Sequence, residues 1–154
     1  MLQINTPAPD FHLPDQNAEM HALKDYAGKK LAIYFYPKDD TPGCTEQACN
    51  LRDNMGALKA AGIAVLGVSV DTLRKHKNFE KKYTLPFPLL ADTEHRMVEA
   101  YEVWGEKTMF GRKYMGTHRI TFLIDEKGII THIIDKVDTK DHAGQILKIV
   151  KREE

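Results

Sequence analysis

The sequence predicts an α/β protein whose central mixed sheet is flanked by helices, and three observations carry that expectation. Apolar strand-like runs alternate with helical periodicities along most of the chain. The runs Leu31–Tyr36 and Ile63–Val70 are apolar almost throughout, as in parallel strands covered on both faces. A glycine-centred hairpin signal followed by one last helix closes the order.

The first thirty residues, with Pro7, Pro9, Pro14 and the polar turn Gln16-Asn17, read as a hairpin extension placed before the core. Leu31–Tyr36 is the first core strand, ended by Pro37. From Thr41 the apolar residues Ala48, Leu51, Met55 and Leu58 recur at steps of three and four, which predicts one amphipathic helix closed by Gly62. Ile63–Val70 is the second strand, and Asp71-Thr72 offers caps for a helix carrying Leu73, Phe79 and Tyr83. A short strand around Phe87–Leu90 leads through Asp92 into a helix with Met97, Val98 and Tyr101. The polar, glycine-containing stretch from Gly105 to Thr117 reads as a functional or mobile loop. Arg119–Asp125 and Ile129–Asp135 form two strands around Glu126-Lys127-Gly128, and the last helix carries Ala143, Ile146, Leu147 and Val150. Parallel pairs, a late antiparallel hairpin and a final helix narrow the class to a thioredoxin-like arrangement.

With 154 residues the chain fits a single domain over 1–154 that can bury a core without staples. Lys plus Arg equals Asp plus Glu at 22 each, so no net field draws the protein toward nucleic acid or an anionic membrane. The start Met1-Leu2-Gln3-Ile4-Asn5-Thr6-Pro7 has neither the basic residues nor the apolar run of a secretion signal, which places the protein in the cytoplasm. Its composition leans toward a monomer.

Cys44 is the residue most suggestive of chemistry. Thr41 reads as an N-cap, Pro42 as the first helical residue, Gly43 as the second and Cys44 as the third. The sulfur therefore faces unpaired amides at the positive end of a helix, which favours its ionised, nucleophilic form. A second cysteine, Cys49, lies five residues on. On an ideal helix that spacing means about 140° around the axis and a Cα separation of about 8.6 Å, beyond the roughly 7 Å that a disulfide tolerates. A bond between them requires the first turns to unwind, which Gly43 and Asn50, as weak helix formers, would ease; the bland alternative is that Cys49 packs against the core. The pair lacks the C-x-x-C spacing of a thioredoxin-type exchanger, and the seven histidines form no tetrahedral metal set with it, so no metal is expected. The histidines themselves read as surface or satisfied polar groups without a catalytic role.

Arg119 lies in the predicted strand His118–Ile124, where a permanent charge beside an apolar core needs an anion or acceptor. That partner is either the Cys44 thiolate or a surface carboxylate, and the bare sequence leaves both open. The Thr41 hydroxyl either caps the helix or also donates to a bound oxygen atom.

These residues together resemble the peroxiredoxins, and within them the bacterioferritin comigratory protein (PrxQ) subgroup. The similarity runs through Ala8-Pro9-Asp10-Phe11, Tyr34–Lys38, Thr41-Pro42-Gly43-Cys44-Thr45, the Cys49 position, Leu51-Arg52-Asp53, Val103–Lys107 and Arg119–Asp125. It departs at Asn17-Ala18, where the subgroup often carries glycine. The resemblance implies a thiol-dependent peroxidase acting on hydrogen peroxide and organic hydroperoxides without metal, haem or flavin. It implies Cys44 as the peroxidatic cysteine, Cys49 as its resolving partner, Arg119 as the activating guanidinium and Pro37 as a shield against solvent. The peroxide would be held among Thr41, Gly43, Cys44 and Arg119, and the Cys44–Cys49 disulfide recycled by thioredoxin or glutaredoxin. A sensor passing its disulfide to a partner protein and a general disulfide exchanger are the alternatives.

Overall fold

The computed structural model describes residues 2–152; Met1, Glu153 and Glu154, which belong to the expected 1–154 domain, lie outside the described residues. The strand Leu31–Tyr36 is realised as β3 (Lys30–Phe35), and Ile63–Val70 as β4 (Ile63–Ser69). These two pair in parallel, Ile33 opposite Leu66. Toward one edge, β5 (Leu89–Ala91) continues the parallel set against β4. Toward the other edge, β8 (Ile120–Ile124) runs antiparallel to β3 and β9 (Ile130–Ile134) antiparallel to β8. The five-stranded order is β5-β4-β3-β8-β9, the mixed sheet that the sequence predicts.

Alternation along β3 sends its side chains into two separate cores. Ala32, Tyr34 and Tyr36 pack under α1 (Pro42–Asp53), α2 (Met55–Ala60), α3 (Leu73–Tyr83) and α5 (His142–Arg152), together with Leu51, Leu58, Phe79 and Ile146. Leu31, Ile33 and Phe35 face the opposite side, where they pack with Val98 of α4 (Arg96–Ala100), and where Phe122 meets Phe35 and Tyr101 edge to face. The sheet is thus covered on both faces, which is why β3 reads as a continuous apolar run. The N-terminal hairpin is present as β1 (His12–Pro14) and β2 (Met20–Ala22). Its turn places Ala18 at φ +62°, a left-handed conformation that suits glycine better.

Three expectations are corrected. The helix from Thr41 to Gly62 is two helices, α1 and α2, broken at Asn54. The Asn54 side-chain amide donates at 2.8 Å to the Asn50 carbonyl, the oxygen its own backbone amide would use in a continuing helix. The stretch from Gly105 to Thr117 is no irregular loop but part of an antiparallel ribbon, β6 (Trp104–Met109) with β7 (Arg112–Thr117), turned at Phe110-Gly111 with φ +53° and +77°. Both of its faces are largely exposed, so it lacks the half-buried alternation by which strands are recognised. Arg119 stands one residue before β8 and outside the apolar strand, free to turn its side chain toward α1.

Candidate active site

The site is assembled beyond the C-terminal end of β3, where the chain crosses from the parallel sheet into α1. Pro42 is the first residue of α1 and Cys44 the third, as the start signals predict. Thr41 takes the N-cap backbone conformation, φ −97° and ψ 157°, and its carbonyl accepts the first intrahelical bond from Thr45 at 2.8 Å. Its side chain, however, does not cap. The hydroxyl instead donates at 2.8 Å to the Lys38 carbonyl, closing the turn before the helix. With Pro42 lacking an N–H and no side-chain cap present, the amides of Gly43 and Cys44 remain the first-turn donors.

Cys44 is buried, 2% exposed. Arg119 Nη2 donates to its Sγ at 3.4 Å, so of the two partners left open for this guanidinium it is the sulfur that it meets. The same guanidinium donates through Nη1 to Gln47 Oε1 at 2.7 Å. Gln47 sits one turn after Cys44 on α1, fully buried, and its Nε2 has no partner among the described residues. It therefore fixes the arginine's orientation and leaves a free donor beside it. Gln47 was missed in the sequence because a buried glutamine has no motif of its own; its spacing of three from Cys44 is the only available signal. Gly43 explains how Arg119 comes so close: a Cβ at that position would lie 3.2 Å from Nη2.

Pro37 is half-buried at the end of β3, in the segment that leads to Thr41. The ribbon β6–β7 supplies a wall. A cleft of about 690 Å³ is lined by Trp104, Gly105, Lys107, His118 and Arg119, among others. The stem of Lys107 passes over Gly116, where a Cβ would stand 3.0 Å from it, and its ammonium donates to the Thr117 carbonyl at 3.0 Å. Burial, then the nearby Arg119 charge, push the Lys107 ammonium below the usual lysine value, while Cys44 pulls it back up. Cys49 is half-buried and, like Cys44, a free thiol. Both lie within α1, so the helix holds the two sulfurs apart.

A buried imidazole lies behind the loop. Asp39 and Asp71, with His76 of α3, bring their ligand-type atoms within 4.8 Å of one another, the one grouping of that kind found among the described residues. Each already has protein partners: Tyr36 and His76 for Asp39, Ser69 for Asp71.

Comparison with known proteins identifies the family. The AhpC/TSA family model matches residues 4–133. The Escherichia coli K12 protein named Peroxiredoxin Bcp is 49% identical over 150 residues, covering 97% of this chain and 96% of that protein. Peroxiredoxin Bcp of Bacillus subtilis is 44% identical over 150 residues, with 97% and 96% covered. Among solved structures, the Xanthomonas campestris bacterioferritin comigratory protein superposes with a TM-score of 0.90 at 33% identity, covering 98% of this chain and 99% of that one. A serine-for-cysteine variant of Xylella fastidiosa PrxQ gives 0.93 at 29% identity, with 99% and 98% covered. A family model spanning most of the chain and relatives near half identity along its length settle the kinship: this chain belongs to the AhpC/TSA family and, within it, to the Bcp/PrxQ peroxiredoxins, thiol-dependent peroxidases that take a hydroperoxide and a thiol reductant.

Proposed function

We propose that Cys44 is the peroxidatic nucleophile and that Arg119, held by Gln47, is its activating partner. The observation that carries this reading is the 3.4 Å approach of Arg119 Nη2 to the Cys44 sulfur at the first turn of α1. The Cys44 thiolate attacks the terminal oxygen of the hydroperoxide, the O–O bond breaks, and the alkoxide or hydroxide leaves as alcohol or water after taking a proton. Arg119 and the amides of Gly43 and Cys44 are placed to stabilise the negative charge that moves from sulfur to the departing oxygen. Thr41 would hold the peroxide once its hydroxyl turns away from Lys38, and Pro37 would screen the sulfur from solvent.

The Cys44 sulfenic acid is then condensed with the Cys49 thiol, forming the S–S bond and releasing water. Because both sulfurs start on one helix, this step requires the first turns of α1 to open, and local opening at a helix end costs far less than global unfolding. Two thiols of an external carrier restore the dithiol, and we take that carrier to be thioredoxin, with glutaredoxin as the second choice. Hydrogen peroxide and organic hydroperoxides are both in reach of the mechanism; the Xanthomonas campestris relative has been studied for alkyl peroxide reduction. Two free thiols fit a reducing cytoplasm, and we take the chain to act as a monomer. No helix among the described residues is long and apolar enough to cross a membrane.

The test is a pair of serine variants. Cys44→Ser should abolish peroxide reduction in a single turnover, and retained turnover would refute the assignment. Cys49→Ser should keep the first oxidation and lose thioredoxin-linked recycling; unchanged steady-state turnover would show that Cys49 does not resolve. A sensor would instead pass its oxidation to one client protein, and an exchanger would reduce model disulfides without peroxide.

A further inference from the structure

The structure assigns His76 as a positioning residue for the peroxidase site: a fully buried imidazole that pins Asp39, and through it the segment carrying Pro37 and Thr41. The inference rests on the peroxidase reading above. His76 projects from α3 with no exposed surface. Its Nε2 lies 2.9 Å from the Leu90 carbonyl of β5. A carbonyl oxygen only accepts, so Nε2 carries a proton. Its Nδ1 lies 2.6 Å from Asp39 Oδ2. One further proton must sit in that short contact, and the pair is net neutral whichever atom holds it, which makes its burial tolerable.

Asp39 is held from two other directions. Its Oδ1 accepts from the Tyr36 hydroxyl at 2.5 Å, and burial followed by the Asp39 charge keeps that phenol protonated by raising it well above the usual tyrosine value. Its backbone amide donates to Asp71 Oδ2 at 2.8 Å, the oxygen that also accepts from the Ser69 hydroxyl at 2.7 Å. Lys75 lies 3.9 Å from the other Asp71 oxygen. The network ties the loop to β3, β4, α3 and β5 at once. What it fixes is functional, because Asp39 lies between Pro37 and Thr41 and five residues before Cys44. The next residue, Asp40, takes φ +58°, so the chain makes a left-handed step directly after the anchor to enter α1. An unanchored loop has no comparable reason to hold that step, and Pro37 and Thr41 would lose their register relative to Cys44.

The experiment combines a cycle of variants with a spectroscopic check on the reduced, full-length protein. Single-turnover rates of Cys44 oxidation by hydrogen peroxide are measured for His76→Gln, Asp39→Ala and the double variant, each corrected for its folded fraction. Each single change should slow the reaction on the order of 10- to 100-fold, and the double variant should be no slower than the slower single, since both break one anchor. Asp39→Asn keeps an acceptor for Tyr36 and a donor for His76, so it should restore the rate to within about threefold of the parent. Thr72→Ala removes the cap that accepts from Lys75 at 3.3 Å and weakens α3 without touching Asp39, so it should lower stability and leave the rate unchanged. Nitrogen–proton correlation spectra should show the His76 Nε2 bearing a slowly exchanging proton. Rates within threefold of the parent for both single variants, additive losses in the double, or an unprotonated Nε2 would each overturn the assignment. Should His76→Gln not fold, the contrast between Asp39→Ala and Asp39→Asn decides alone: equal rates for the two would refute it.

Discussion

Replacing Arg119 by methionine removes the guanidinium while keeping a stem of similar length, and it isolates what the charge does for the sulfur. At 3.4 Å the gross attraction between a full thiolate and a guanidinium is about 5 kcal/mol at an effective dielectric near 20, and about 1 kcal/mol in bulk water. Arg119 is half-buried and borders the open cleft, so the effective value lies between these limits. During attack the negative charge passes from sulfur to the leaving oxygen, and a donor placed for both atoms retains about 2–3 kcal/mol of transition-state stabilisation, near the range seen when one oxyanion donor is removed. That corresponds to about a 30- to 150-fold slower second-order reaction with hydrogen peroxide. Stopped-flow fluorescence can follow it directly, because the single tryptophan, Trp104, lines the same cleft as Arg119. Arg119→Lys should recover only part of the loss, since an ammonium cannot reach the sulfur and Gln47 together with a fixed fork. A methionine variant within threefold of the parent rate would refute the electrostatic argument.

Gly43→Ala raises helix propensity by up to about 1 kcal/mol but sets a Cβ 3.2 Å from Arg119 Nη2, so thermal stability should hold or rise while the peroxide rate falls on the order of tenfold; a rate that follows stability upward would contradict the close approach. Ala18→Gly relieves a left-handed alanine at φ +62° and should stabilise by about 0.5–1 kcal/mol, read as a rise of about 1–3 °C in Tm; a fall would show that the turn is not strained. His142 is held neutral, its value lowered first by burial, and its ring nitrogens meet Thr121 and Gln145 at 2.8 Å each. The unfolded chain therefore takes up that proton first as pH falls, so the contribution of His142 is full above its free value of 6.5 and is lost below it. His142→Asn should flatten the decline of Tm between about pH 7 and 5; an unchanged slope would remove His142 as its source.

The elements that hold Cys44 are legible because each has a local cause. β3 and β4 are apolar throughout since helices cover both their faces, and the Thr41-Pro42-Gly43-Cys44 run carries its own helix-start chemistry. Arg119 could be singled out because a lone cation at the edge of an apolar strand demands a partner, although only the fold decides between sulfur and carboxylate. What escaped depends on contacts distant in sequence. The β6–β7 ribbon is exposed on both faces and shows no burial period; Gln47 acquires its role only when Arg119 arrives from 72 residues away. The sequence reads the histidines collectively as surface or satisfied polar groups; His76 is buried and hydrogen-bonded, and its contact with the loop before Cys44 spans 37 positions. The break at Asn54 was hidden because apolar spacing continues across it, while a single side-chain amide takes the carbonyl the helix needed.

The most direct check on the Cys44–Cys49 chemistry is peptide mass after one equivalent of hydroperoxide, without reductant. Trypsin cuts after Lys38 and Arg52, so both cysteines fall on the single peptide Asp39–Arg52. Condensation of the two sulfurs predicts that this peptide loses the mass of two hydrogens and regains it after thioredoxin treatment, and that the Cys49→Ser peptide instead gains one oxygen at Cys44. Oxidation found on Cys49 with Cys44 still a thiol, or a link only between peptides of two different molecules, would contradict the opening of α1.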